Sequence, residues 1–247
     1  MKDLTLLIPA KNESESLPQV IEELKKFSYN FKVILHPTDT KTIESLTKYN
    51  AEIVYQKNFG YGDALIEGIK NCNTKFFCIF NADGSFNPNE ISNMYMYLEN
   101  NKLDIIFGSR YQKNSGSDDD NIITLIGNYI FTYLGKIFFK LKITDILYTF
   151  VIGKTDQVNL LNLKRKDFGF CVELPIKANR NNLNIGSTNS YERKRLAGKK
   201  NVNEDDFLCG AMQMYLQLNP DSEADGSWCP PSWVFGIMRG DKITEHV

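Results

Sequence analysis

Residues 75–91 read KFFCIFNADGSFNPNEI. The apolar run KFFCIF has the length and composition of a strand, it stops at a polar turn, and a helical pattern, EISNMYMYLEN, follows. A strand that feeds a helix through a short polar turn is half of a βαβ unit. The turn sets Asn81 and Asp83 on either side of Ala82, so two oxygen-bearing side chains sit together at the end of a strand. One is an amide and one a carboxylate, a pattern that begins like a metal-binding turn and then departs from it.

The same alternation runs through the first 111 residues. LTLLIP is followed by SLPQVIEELKKF, KVIL by IESLTKY and EIVYQ by DALIEGIKN; a fifth apolar run, DIIFGSRY, comes after the segment quoted above. Short β-rich runs alternating with helical patterns predict an α/β fold, with a mostly parallel sheet flanked by helices on both faces. In such sheets ligands gather outside the carboxyl ends of the strands. The polar clusters of this half all fall there, at 11–13, 36–39, 58–62, 81–85 and 109–111.

Composition narrows the partners. With 29 basic and 30 acidic residues in 247, the net charge is -1, so there is no global attraction to nucleic acid and any anion site must be local. The five cysteines, Cys72, Cys78, Cys171, Cys209 and Cys229, are scattered, odd in number and without CxxC spacing, which reads as reduced thiols in the cytoplasm. The N-terminal MKDLTLLIPAKNE turns charged too soon for a signal sequence and reads as a buried strand.

The apolar stretch from 122 to 143 is interrupted by Asn128, too short and too basic to span a bilayer. Two readings stay open for it. It packs on the core, or it lies in a lipid interface, with Tyr129, Phe131, Tyr133, Phe138 and Phe139 among Lys136, Lys140 and Lys142. A further helix is expected through VELPIKANR and a basic strand or loop at YERKRLAGKK. Residues 1–218 are expected to form one domain. Residues 219–247 hold both tryptophans, three of the eight prolines and a single lysine, and are set apart as a poorly ordered C-terminal tail without assigned function.

Taken in order, IPAKNESESLPQVI, NFGYGDALIEGI, FNADGSFNPNEI, DIIFGSRY and ERKRLAGKK resemble family 2 glycosyltransferases of the GT-A fold, in particular the polyprenyl-phosphate (dolichol-phosphate) sugar transferases. The resemblance covers roughly residues 3–202. It implies a nucleotide-sugar donor, Mg²⁺ or Mn²⁺, and in many members a lipid phosphate acceptor.

By that resemblance Glu13, which follows Pro9 at the end of the first strand, accepts hydrogen bonds from the base or ribose. Family members carry two adjacent aspartates after the second strand; here ILHPTDTKT puts His36 and Pro37 in their place, leaving Asp39 as a partial substitute or a turn cap. Gly60 and Gly62 precede a helix, where glycine permits close backbone approach and the helix N-terminus attracts phosphate. The family's Asp-x-Asp turn becomes Asn81-Ala82-Asp83. Asp83 is expected to bind the metal directly, Asn81 to offer a neutral oxygen or a water-mediated contact, and Ser85 an outer hydroxyl. Arg110 and Arg195 suit phosphate oxygens, and Lys200, beside Lys199, stands near the place of a lysine the family often carries. Asp145 matches a family aspartate and either orients the acceptor or caps a helix; Glu173 reads as structural.

The expected activity is metal-dependent transfer of a sugar from a nucleotide-sugar donor, with inversion, to a polyprenyl phosphate. Asp83, Arg110, Arg195 and Asp145 are its catalytic candidates. The alternative is an inactive GT-A-like module that binds nucleotide sugars. A pyrophosphorylase is disfavoured because PAKNESES is neither glycine-rich nor arginine-bearing. The expected location is cytoplasmic, with peripheral contact at the cytoplasmic face of a membrane left open.

Overall fold

The computed structural model describes residues 1–119, 122–197 and 214. In chain order these form β1 (Leu4–Pro9), α1 (Leu17–Lys25), β2 (Asn30–Leu35), α2 (Thr40–Ser45), β3 (Glu52–Tyr55), α3 (Tyr61–Lys70), β4 (Phe76–Ile79) and α4 (Pro88–Asn100). There follow β5 (Ile105–Ser109), β6 (Gly116–Ser117), α5 (Ile122–Phe139), β7 (Val151–Lys154), α6 (Thr155–Asn159), α7 (Phe170–Arg180), β8 (Ile185–Asn189) and β9 (Tyr191–Glu192). The tail expected at 219–247 lies outside the described residues.

Seven strands make one sheet in the order β3-β2-β1-β4-β7-β5-β8, and β6 and β9 form a separate two-stranded sheet. All neighbours in the large sheet are parallel except β7, which runs antiparallel to both β4 and β5, pairing Ile152 with Cys78 on one side and Ile106 on the other. A four-residue strand without alternation carries almost no signal of its own, and β7 is not legible in the sequence.

Each strand sends alternate side chains to opposite faces. Leu7, Ile34, Phe77 and Phe107 join one core with Leu65 and Ile69 of α3 and Val172 and Ile176 of α7. Leu6, Ile8, Val33 and Cys78 join the other with Val20 and Leu24 of α1 and Met94 and Leu98 of α4. Burial on both faces explains why the central strands read as continuous apolar runs. Helix starts are set locally: Asn87 accepts from Asn89 N at 3.1 Å ahead of Pro88, and Asp39 accepts from Thr42 N at 3.3 Å to begin α2.

Helix α5 has two unlike faces. Phe131 and Phe139 face the core, whereas Ile126, Tyr129, Ile130, Tyr133, Ile137 and Phe138 follow helical spacing on the exposed side, Tyr129 at 71% exposure. Both readings of this stretch therefore find a face, but two of the five aromatics expected at an interface are buried. Among the described residues no helix is long and apolar enough to cross a membrane.

Candidate active site

A cavity of about 900 Å³ opens at the carboxyl ends of the strands. Its wall follows the sheet order. Gln56 and Phe59 come from the end of β3, His36 and Asp39 from β2, Pro9 to Glu13 from β1, Asn81 and Asp83 from β4, and Arg110 from β5. Asn128 of α5, Tyr148, Glu192 and Arg195 complete the β5 side. Of the residues expected at the site, Pro9, Glu13, Asp39, Gly60, Asn81, Asp83, Arg110 and Arg195 all line this one space. Gly62 and Asp145 lie behind its wall, and Lys200 lies outside the described residues.

The turn after β4 and the segment around Arg195 are strapped together. Leu196 N donates to Asp83 O and Arg193 N to Ser85 O, each at 2.8 Å. Gly84 takes φ +81°, a left-handed turn that glycine tolerates, and Leu196 lies directly over it. The strap puts the Arg195 guanidinium 3.5 Å from Asp83 Oδ2 and 3.0 Å from Asp119. Burial opposes the Arg195 charge, but Asp83 and Asp119 outweigh it and hold the group above the ordinary arginine range. Asp119 sits in a stretch that reads only as a polar linker, so nothing in the sequence marks it.

Asp83 is almost fully buried, and its Oδ1 accepts from Ser85 N at 2.9 Å. Asn81 Nδ2 donates to the Ser85 hydroxyl at 3.3 Å, and the Asn81 amide oxygen accepts no hydrogen bond among the described residues. One carboxylate and one amide oxygen on the same cavity wall suit a hard cation that draws its remaining ligands from phosphate and water. The described residues form no cluster of three or more histidine, cysteine, aspartate or glutamate side chains, so among them there is no closed metal cage. The donors fit Mg²⁺ or Mn²⁺ held chiefly by a diphosphate.

Arg110 is gripped from two sides. Its Nε and Nη2 reach the two oxygens of Asp145 at 2.8 and 3.1 Å, and Nη1 reaches Glu192 at 3.1 Å. Its guanidinium carbon lies 4.7 Å from the Tyr148 ring centroid. Burial disfavours the charge, yet Asp145 and Glu192 overcome it and hold the guanidinium well above its usual range. Asp145 is fully buried and also accepts from Asn128 Nδ2 of α5 at 2.5 Å. Arg110 therefore enters the cavity as a fixed, compensated cation. Glu192 is missed by sequence reasoning because it sits inside ERKR, which reads as a basic surface.

Glu13 backs the β1 end. Its N–H donates to Thr42 Oγ1 at 3.1 Å, and Ser16 donates to its carboxylate. Partial burial pushes the Glu13 carboxyl above its ordinary range; the Ser16 hydrogen bond opposes this and Asp83 adds to it.

Gly60 and Gly62 pack closely against the loop at 165–167. A Cβ on Gly60 would lie 2.0 Å from Lys166 O, and one on Gly62 would lie 2.2 Å from Arg165 O. Asp63 N already donates to Lys166 O at 3.0 Å, so the start of α3 is capped by this loop. Glu173, 1% exposed, holds the loop by accepting from Lys164 N and Arg165 N, which is the structural role expected of it. The glycines are needed for chain-to-chain contact.

The sequence profile described as Glycosyl transferase family 2 matches residues 5–158. The chain belongs to this family. The family 2 match contains Asp83, Arg110 and Asp145 and stops short of Glu192 and Arg195. Among curated proteins, an uncharacterized glycosyltransferase of Mycobacterium tuberculosis is 26% identical over 107 residues, covering 43% of this chain and 48% of the relative, so the chain matches about half of that protein's length. A UDP-N-acetylglucosamine--dolichyl-phosphate N-acetylglucosaminyltransferase of Methanococcus voltae is 23% identical over 209 residues, covering 75% of this chain and 83% of the relative. Among solved structures, glucosyl-3-phosphoglycerate synthase of Mycobacterium tuberculosis in complex with Mn²⁺, UDP-glucose and phosphoglyceric acid superposes with a TM-score of 0.68 at 14% identity, over 91% of this chain and 81% of that one. That likeness is one of fold, and the family 2 chain has the GT-A architecture.

Proposed function

We propose that this family 2 chain transfers a sugar from a nucleoside-diphosphate sugar to a polyprenyl phosphate presented at a membrane surface. The observation that carries the reading is α5. One face of the helix contributes Asn128 to the cavity wall, and the other exposes an apolar stripe. The exposed Lys136, Lys140 and Lys142 adjoin it, a combination suited to an anionic lipid interface. The dolichyl-phosphate activity named for the Methanococcus relative supports the same acceptor class.

The donor's diphosphate would lie against Asp83, Asn81 and Arg195, with Arg110 toward the acceptor. An acceptor phosphate oxygen attacks the anomeric carbon from the face opposite the diphosphate. The carbon–oxygen bond to the diphosphate breaks, its electron pair leaves with the phosphate, and configuration inverts. The phosphate acceptor is already an anion at neutral pH, so it needs no strong general base. Asp83 and Asn81 would hold a divalent cation, which would supply positive charge beside the leaving group. Arg195 adds a guanidinium beside the same position, and such fixed charge is commonly the largest catalytic contribution.

The test incubates the full chain with UDP- and GDP-sugars, Mn²⁺ and either polyprenyl phosphate in anionic vesicles or 3-phosphoglycerate in solution. Labelled sugar in the lipid phase is the expected result. Transfer only to phosphoglycerate overturns the lipid acceptor, and donor binding without transfer or hydrolysis favours the inactive module.

A further inference from the structure

We infer that the stacked rings of His36 and Phe59 form the platform on which the donor's nucleobase lies, so that the base is held by its π-face rather than by a carboxylate. The inference rests on the nucleotide-sugar reading above. The cavity is graded in chemistry along the sheet. Its β4 and β5 end carries Asp83, Arg195 and Arg110, groups matched to phosphate and a cation, whereas the β2 and β3 end carries two rings, the neutral Gln56 and Thr38, and Asp39. A nucleoside diphosphate laid along this space with its phosphates at the charged end places its base at the rings.

The ring pair has the geometry of a built surface. The centroids lie 3.9 Å apart with 24° between the planes, a stacked arrangement. Phe59 nevertheless keeps 67% of its surface exposed, so stacking on His36 leaves much of the ring uncovered. The Thr38 hydroxyl lies 2.7 Å and the Thr38 N–H 3.3 Å from His36 Nδ1; both can donate to that nitrogen when the neutral ring carries its proton on Nε2, the tautomer this arrangement favours. The platform therefore offers a π-face and one N–H donor. The neighbouring carboxylate is already engaged, since Asp39 Oδ2 accepts from Asn12 N at 2.7 Å and Oδ1 from Thr42 N at 3.3 Å.

Every nucleobase has a π-face, and each common one presents a ring nitrogen or carbonyl that can accept a hydrogen bond, so a site of this kind tolerates base identity.

The experiment is calorimetric titration of the full chain with UDP, GDP, CDP and ADP, and with inorganic pyrophosphate, in constant Mg²⁺. The wild type is expected to bind all four nucleotides within about tenfold of one another. Phe59→Ala should weaken all four together, by roughly five- to a hundred-fold, from the usual contribution of base stacking, and leave pyrophosphate unchanged. Phe59→Trp should restore binding. His36→Asp should spread the four apart in favour of uracil and guanine, whose ring N–H can donate to the new carboxylate. If the nucleotides bind the wild type and Phe59→Ala binds them equally well, the platform is wrong and the donor reading stands. If no nucleotide binds the wild type, the donor reading falls and the platform with it.

Discussion

Arg110 and Asp145 form a two-pronged pair across the wall of the cavity, and Asn128 of α5 holds the same carboxylate from behind. The helix that exposes an apolar stripe and the cavity-lining guanidinium of Arg110 are thus joined through one buried aspartate.

Arg110→Ala leaves Asp145 and Glu192 buried without their main cation, and should cost about 3–5 kcal/mol of stability. Asn128→Leu leaves the Arg110 pair intact and removes the hydrogen bond to Asp145 together with the acceptor for Leu147 N and Thr132, for a smaller loss of about 1–3 kcal/mol. Urea unfolding of both variants checks the order; equal losses would mean that the Arg110 ion pairs hold the network no more strongly than the Asn128 hydrogen bonds do.

The turn after β4 predicts opposite effects for two substitutions. Asp83→Ala should abolish Mn²⁺-dependent nucleotide binding, whereas Asn81→Asp should strengthen Mn²⁺ binding by roughly tenfold through a second charged ligand. Titration of Mn²⁺ in the presence of nucleoside diphosphate measures both. Unchanged affinity in Asp83→Ala removes the cation from this turn.

Glu13 gives a pH signature. Its carboxyl is raised above the ordinary range in the folded chain, so the folded state binds the proton more tightly than the unfolded state and stability falls as pH rises through that interval. Glu13→Gln removes the ionisation. The variant should melt higher than wild type at pH 7, and the gap should close as pH drops below the ordinary carboxylate range. A constant gap across a melting series from pH 3 to pH 8 would show that the carboxyl is not the cause.

For the lipid surface, three lysines each contribute about 1 kcal/mol of attraction to anionic membranes, so the triple variant Lys136→Glu, Lys140→Glu, Lys142→Glu should lose at least about a hundredfold in vesicle partitioning. Replacing Ile126, Tyr129, Ile130 and Tyr133 by serine should abolish binding even at low salt. Co-sedimentation decides: if wild type and both variants pellet alike, α5 does not meet the membrane.

What the sequence made legible was whatever depends on burial of short runs or on local spacing. β1, β2, β4 and β5 are evident because both of their faces are covered, the half-exposed edge strand β3 is evident from its place between helical patterns, and the polar clusters at their ends converge in one cavity. Partnerships over long separations were not legible. Arg110 and Arg195 read as free cations, yet each is paired with carboxylates far along the chain, Asp145 and Glu192 for one and Asp119 for the other. Asn128 read as a defect in an apolar run and is instead a fully engaged buried link. The glycines at 60 and 62 were legible as positions of close backbone approach, but the backbone at 165–167 that packs against them lies a hundred residues away and was not.

The antiparallel strand β7 has a further consequence for how the chain reaches this state. β4 and β5 do not touch; Val151–Lys154 lies between them. As synthesis proceeds, the order β3-β2-β1-β4 can assemble from the first eighty residues, but β5 has no edge to join until a segment more than forty residues downstream has emerged. Non-local pairing of this kind is slow because loop closure precedes its reward. Pulse-labelled hydrogen exchange during refolding should therefore protect the amides of Leu6 and Val33 before those of Ile106. Protection of all three in a single phase would mean that the sheet closes as one unit. In the finished molecule β7 acts as a spacer of two strand intervals, about 9–10 Å, between the ends that carry Asp83 and Arg110. The gap across which sugar and acceptor would meet is thus set by the last central strand to arrive.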